Sequence, residues 1–344
     1  MRTVSQQRRR FTGVVALLVL VTSGRAHLSA SNVVAPVPEP YASEILTTTT
    51  SSPWTPEMAA LGKRLFFDPR LSRDGSVSCA TCHDPKRAFT DGVALARGIR
   101  GQVGPRNTPT ILNRGVGRLE FWDGRAGTLE DQALGPIQAK GEMDLTIEEA
   151  VARLRQEPSY REAFQAVYGG EPSAERLARA IAAYERTVSS IDSAFDRFLA
   201  GDQDALPPDA QRGLVLFGGK ARCGECHSGP NFSDELFHTL GLGTDPGRGA
   251  VTKVASETGA FKTPTLREIT STAPYMHDGS IATLEEVVEY YDRGGTPHPN
   301  LSPKMTRLGL TEQERRDLVA FLRALSGTIV EVPGSTGTQE ASSR

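Results

Sequence analysis

Cysteine is scarce: the 344-residue chain holds four, all within Cys-x-x-Cys pairs. No cysteine is left over for a disulfide framework spread along the chain. Aromatic residues make up only 6 % of the sequence, so a core built on rings alone would be thin. An excess of either charge is missing too. The 39 Lys and Arg against 41 Asp and Glu leave a formal charge of −2, which gives no electrostatic case for nucleic acid as a partner. What is plentiful is Gly, with 34 residues, and Pro, with 22. That composition suits a loop-rich globular protein, and the length has room for about two domains.

The first thirty residues read as a secretory signal. Arg8, Arg9 and Arg10 form a basic part, Val14 to Val21 an apolar part, and Ala26 and Ala30 supply small residues. The apolar run is too short to span a bilayer comfortably, which ranks an uncleaved anchor second. This segment carries five Arg and no acid, so its removal takes the formal charge from −2 to −7. Residues 31–55, with "PVPEP" and "TTTTSSP", read as a flexible tether. The periplasm is the expected location.

The cysteines stand in "CATCH" (Cys79, Cys82, His83) and "CGECH" (Cys223, Cys226, His227). Two disulfides or a thiolate zinc site would use the cysteines. Neither explains a His directly after both pairs. Covalent haem c attachment does: two thiols add to the haem vinyl groups, and the next imidazole ligates iron. Two haem c groups are therefore expected. Haem is attached to an unfolded chain outside the cytoplasm, which favours the general secretory route over one that exports folded protein.

The chain repeats itself. "LGKRLFFDP" precedes the first motif and "RGLVLFGGK" the second, both as short amphipathic helices. "RNTPT" (106–110) answers "FKTPT" (261–265), and "FWDGRAGTLEDQALGP" (121–136) answers "YMHDGSIATLEEVVEYY" (275–291). Between the halves, "TIEEAVARLRQE" reads as a helix stopping at Pro158, and "SAERLARAIAAYERTV" as one capped by Ser173. A final helix starts at the capping box of Thr311 and Glu314, with Gly327 as its expected C-cap. Few strand patterns are sustained. The expected fold is mostly α, with two cytochrome c-type haem domains and long loops. The expected segments are signal 1–30, linker 31–55, first haem domain 56–200, second haem domain 201–330 and a disordered tail 331–344.

The two halves differ where an iron's sixth position would be filled. In the shared register Pro136 stands opposite Tyr291, Phe121 opposite Met276, and Trp122 opposite His277. Tyr291, Met276, Met305 and His277 are all candidate ligands for the second iron. Pro136 and Phe121 have no donor atom, and no His or Met lies between His83 and Met143. The first iron is expected to be open and the second closed. Gln132 and Glu142 lie beside the open position, where a buried carboxylate could move a proton between peroxide oxygens.

Taken together, "SCATCH", "RNTPT", "FWDGRA", "DQALGP", "GEM", "CGECH", "FKTPTLRE", "TAPYMHDG" and "TLEEVVEYYDRGG" resemble the bacterial di-haem cytochrome c peroxidase and MauG family over residues 56–327. The resemblance implies a peroxidatic first haem with Glu142 as acid–base carboxylate and Gln132 nearby. It implies Trp122 as the electron-carrying bridge and an electron-transfer second haem. It also implies a Ca²⁺ held by Asn107, Thr272 and Pro274, oxygen donors of a kind that suits this ion. Two departures are visible. Conventional peroxidases of the family have Met where Tyr291 stands, and this chain is similar to the MauG type there. Many conventional members also have a His after the first motif that blocks the iron until reduction, and no His lies between His83 and His227. The MauG maturation enzyme has a surface Trp before its second motif, and "GGKARCGEC" has none.

The favoured reading is a periplasmic peroxidase that reduces hydrogen peroxide with electrons from a small cytochrome c or a cupredoxin. A MauG-like oxidase acting on a protein or other large substrate is the second reading, and a non-enzymatic di-haem electron carrier the third. The resemblance leaves a homodimer open.

Overall fold

The computed structural model describes residues 54–331. The expected signal, most of the linker and the tail beyond Glu331 lie outside these residues. In chain order the elements are α1 (Pro56–Phe66), α2 (Cys79–Cys82), α3 (Leu129–Gln138), α4 (Ile147–Gln156), α5 (Pro158–Tyr168), α6 (Ala174–Thr187), β1 (Val188–Ile191), α7 (Ala194–Leu199) and α8 (Pro208–Gly218). They continue as β2 (Phe237–Thr239), α9 (Arg248–Thr252), β3 (Ala260–Lys262), α10 (Leu284–Asp292), α11 (Glu312–Arg323) and β4 (Thr328–Glu331). The fold is mostly helical. Its strands form two antiparallel pairs, β1 with β4 and β2 with β3. Among the described residues no helix is long and apolar enough to cross a membrane.

Local chemistry explains most helix starts. Thr55, Thr128, Thr146, Ser173, Ser193, Thr283 and Thr311 each accept a backbone N–H in the first turn of the helix they precede. Thr55 falls in the expected tether but caps α1. Glu331 falls in the expected tail but ends β4 and binds Lys63 at 2.7 Å. Gly327 is not the C-cap of α11. The helix closes at Ala324, and Gly327 packs so close to the carbonyl of Ile191 that a Cβ would collide with it. Pro158 ends one helix and also occupies the first turn of the next, α5, where its missing N–H costs nothing.

Two apolar cores form. The first gathers Leu61, Leu65 and Phe66 of α1 with residues of α3 to α6. The second gathers Phe217 of α8, Leu284 and Val288 of α10, and Leu318, Phe321 and Leu322 of α11. Phe195 of α7, before the expected domain boundary, packs in the second core against Phe232 and Phe321.

The repeat is visible in the backbone. Phe121 and Met276 both have positive φ (69° and 74°), as do Gly124 and Gly279 (65° and 62°). Isolated bridges close both turns, Glu120 to Ala126 and Tyr275 to Ile281. Each turn delivers the chain to a Thr-capped helix, α3 or α10. Gly62 on α1 and Gly213 on α8 take matching places. A Cβ at Gly62 would fall on the carbonyl of Ala180 in α6, and one at Gly213 on the carbonyl of Asp317 in α11.

These two glycines set how closely the helices beside each motif cross. Gly62→Ala and Gly213→Ala should each lower stability by about 1–3 kcal/mol through overpacking. Denaturant unfolding of the two variants checks this, and an unchanged midpoint in both would mean that the crossings yield freely.

Candidate active site between the two Cys-x-x-Cys-His motifs

Both motifs are built alike. The backbone N–H of His83 donates to the carbonyl of Cys79, and that of His227 to the carbonyl of Cys223. The ring Nδ1 of His83 lies 3.1 Å from the Phe89 carbonyl, and that of His227 lies 2.9 Å from the Phe232 carbonyl. An Nδ1–H pinned by a carbonyl leaves Nε2 bare and aims it at a ligand. Burial pushes both imidazoles below their ordinary value, which keeps them neutral and able to ligate a metal.

All four cysteines are free thiols rather than disulfides. Burial raises Cys79 and Cys223 to about 12 and Cys82 to about 11. Among the described residues the one group of three His, Cys, Asp or Glu close enough to share an ion is Cys226, Asp234 and His238. The cysteine pairs therefore do not converge on a zinc site. Instead one cavity of ≈ 410 Å³ is lined by both His83 and His227 together with Cys82, Cys223 and Cys226. Cys79 and Cys82 line a smaller cavity beside His83. Paired thiols, a bare imidazole nitrogen and a large void at each motif fit covalent haem c.

The remaining sequence candidates face the same cavity. Gln132, Pro136, Glu142, Phe121 and Trp122 line it, and so do Tyr291, Met276, Met305 and His277. Gln132 and Pro136 both project from α3, four residues apart and so on one face. Burial raises the Glu142 carboxyl, and the Arg125 guanidinium partly offsets that. Arg125 was not singled out in the sequence. Its guanidinium lies 3.5 Å from the ring centre of Phe121 and 3.0 Å from both oxygens of Asp123. Tyr291 on α10 is pushed upward by burial. His277 is buried, stacks on Phe261 with ring centres 3.6 Å apart, and has no partner for Nε2.

Trp122 stands where the halves meet. Its indole Nε1–H donates to the Asn107 carbonyl at 2.9 Å, and its own carbonyl accepts from the Lys262 N–H at 2.8 Å. The Asn107 N–H in turn donates to the His277 carbonyl at 2.8 Å. Asn107, Thr272 and Pro274 all line the cavity. The Asn107 side-chain N–H₂ donates to the Val93 carbonyl at 2.9 Å. Two ion-pair groups also cross between the halves. Arg106 holds Asp123 at 2.6 Å and Asp245 at 2.7 Å. Arg114 holds Glu120 at 3.0 Å and Glu235 at 2.8 Å. No motif in the sequence points to the pairs that cross, because Asp245 and Glu235 are distant along the chain from Arg106 and Arg114.

Comparison with known proteins agrees with this geometry. Residues 56–204 match the family described as di-haem cytochrome c peroxidase, and residues 210–326 match cytochrome c. The methylamine utilization protein MauG of Methylorubrum extorquens is 47% identical over 281 residues, covering 80% of each chain. The cytochrome-c peroxidase IdrP1 of Denitromonas iodatirespirans is 42% identical over 317 residues, covering 80% of this chain and 83% of that protein. Among solved structures, a MauG-like protein associated with microbial copper homeostasis matches with a TM-score of 0.74 and 36% identity, over 80% of this chain and 91% of the other.

The two sites should load independently. The pyridine haemochrome spectrum of the wild type should return two haem c per chain. A Cys223→Ala, Cys226→Ala double variant should return one, and a value of two would break the assignment of the second motif.

Proposed function

The chain belongs to the di-haem cytochrome c peroxidase family, and from that premise we propose that it reduces hydrogen peroxide to water at the first motif. The observation that carries this reading is the asymmetry of the shared cavity. Pro136 offers no ligand atom where Tyr291 offers a phenol, and Glu142 and Gln132 line the cavity on Pro136's side. A haem held by Cys79, Cys82 and His83 would supply iron-centred one-electron chemistry at the first motif.

The side chains supply the rest. Glu142 takes the proton from one peroxide oxygen and returns it to the other, which leaves as water. The Gln132 amide orients the peroxide through its N–H donors and carbonyl acceptor. Arg125 favours the charged form of Glu142 that accepts the proton. Trp122 carries electrons between the halves, its indole fixed by Asn107 and its main chain by Lys262. Tyr291 closes the second site in preference to Met276 or Met305, and a phenolate there favours the ferric state. Asn107, Thr272 and Pro274 hold Ca²⁺ through neutral oxygens. Two electrons come from a small cytochrome c or cupredoxin in the periplasm. Because no His lies between His83 and His227, the fully ferric enzyme should turn over without prior reduction. A MauG-like oxidase acting on a protein or other large substrate is the second reading, motivated by Tyr291 and by the MauG relative.

Peroxide-dependent oxidation of reduced monohaem cytochrome c tests the proposal. Glu142→Gln should slow it by roughly 10²–10⁴-fold with the resting spectrum retained. Glu142 is raised above its ordinary 4.5 and works as a base, so turnover should climb as pH rises through that raised value. The variant should lose this limb. Full turnover by Glu142→Gln would sink the mechanism. No turnover by the wild type, with the haem spectra still shifting on peroxide, would move the assignment to the oxidase.

Tyr291→Phe should change the ferric spectrum of the second haem alone. An unchanged spectrum would return the ligand to Met276 or Met305.

A further inference from the structure

Peroxide reduction consumes protons that Glu142 does not provide. The balance is one H₂O₂, two electrons and two protons giving two waters. A carboxylate that moves a proton from one oxygen to the other of the same peroxide adds none of those two. Those two protons have to reach the slot by another route, and a second proton-carrying group in it would supply one.

Glu185 is placed for that task. It lies one residue before Arg186 near the end of α6, and its only other slot-facing companion on that helix is Ile181, one turn earlier. The core face of α6 is otherwise apolar, with Leu177, Ala178, Ala180 and Tyr184 all buried. Glu185 is 5% exposed, and its Oε2 is buried without a hydrogen-bond partner. It lines the large cavity and also the smaller one beside His83, and Gln132, Pro136 and Glu142 line both as well. An orphaned carboxyl oxygen at nine-tenths burial is costly unless the site uses it.

The charges around it are already committed. Arg186 binds Glu130 at 2.9 Å, and Arg114 binds Glu120 and Glu235. On the remaining sides stand Tyr184 on its own helix and the Cys79 thiol. Among the described residues no ion pair reaches Glu185, though Arg186 beside it keeps a buried Nε without a hydrogen-bond partner. Burial first, and then the Glu120 and Glu130 charges, raise its carboxyl to about 8, with Arg186 and Arg114 opposing. It enters neutral pH carrying a proton.

We propose that Glu185 is the proton-delivery residue of the first haem slot. Its Oε2–H donates one of the two protons consumed per peroxide, and bulk water replaces that proton after each turnover. The two electrons are those of the redox-protein donor, so the role rests on the peroxidase reading above.

The experiment uses the holoenzyme with both haems and three variants, Glu185→Gln, Glu185→Asp and Glu142→Gln. Infrared spectra of resting ferric protein should show a protonated-carboxyl C=O band in the wild type and in Glu142→Gln. That band should be missing from Glu185→Gln. Peroxide turnover should fall about a hundredfold in Glu185→Gln, the lower end of what a placed acid contributes. Glu185→Asp should recover part of it. Wild-type turnover should also decline as pH rises through about 8, where the donor loses its proton, and the Glu185→Gln profile should be flat there. A band that survives in Glu185→Gln, or turnover within twofold of wild type, overturns the proposal. If the wild type reduces no peroxide, the peroxidase reading fails separately. The resting band then decides whether Glu185 holds a proton in the slot, and its absence from the wild type overturns that too.

Discussion

Each half of the molecule depends on one contact, an imidazole Nδ1 held by a main-chain carbonyl a few residues downstream, Phe89 for His83 and Phe232 for His227. That bond fixes the tautomer and the ring plane, so the bare Nε2 points into the cavity. The two carbonyls are held in turn by buried rings. Phe89 lies against Phe66 of α1, and Phe232 against Phe195 and Phe217. The apolar cores thus serve the ligands directly. With 6% aromatic residues, the chain places its few rings behind the two histidines.

The second constraint is the seam between the halves. Hydrogen bonds to main-chain carbonyls fix its spacing. The Trp122 carbonyl, the Asn107 carbonyl and the His277 carbonyl each accept an N–H from a neighbouring segment. Around them Arg106 and Arg114 each bind two carboxylates. Removing one partner of such a buried group would strand the other, at about 3–5 kcal/mol. The ion pairs therefore resist sliding of one half past the other, which an apolar seam would permit at lower cost.

Much of this was legible in the sequence. The motifs, the Thr and Ser caps and the 121–136 and 276–291 register all rest on local chemistry that a reader can see, and the backbone follows it to matching positive φ at Phe121 and Met276. The cavity also gathers Gln132, Glu142 and Trp122 with Tyr291. Other features stayed hidden. Arg125 acts by lying over Phe121, and Arg114 acts on Glu235, 121 positions away. Glu185 sits in "AYERT", where a helical Glu beside an Arg reads as a solvated pair. Only burial separates the two cases. Gly327 misled because a glycine after a helix usually marks its cap, whereas here close packing on Ile191 requires it.

The asymmetry between the halves rests on a backbone effect as well as a side-chain one. Tyr291 keeps its N–H within α10, while Pro136, inside α3, has none to offer the carbonyl of Gln132 four residues earlier. One residue therefore removes a donor atom from the cavity and leaves the helical carbonyl of Gln132, whose side chain lines that cavity, without its i+4 N–H. The helix survives because Thr128 caps its start and because Ala133 and Ile137 are buried in the first core. A Pro at this place is costly in an exposed helix, by about 3 kcal/mol. Packing offsets that cost here. A duplicated scaffold can thus carry a phenol in one half and no donor atom in the other at a single helical position without changing its fold.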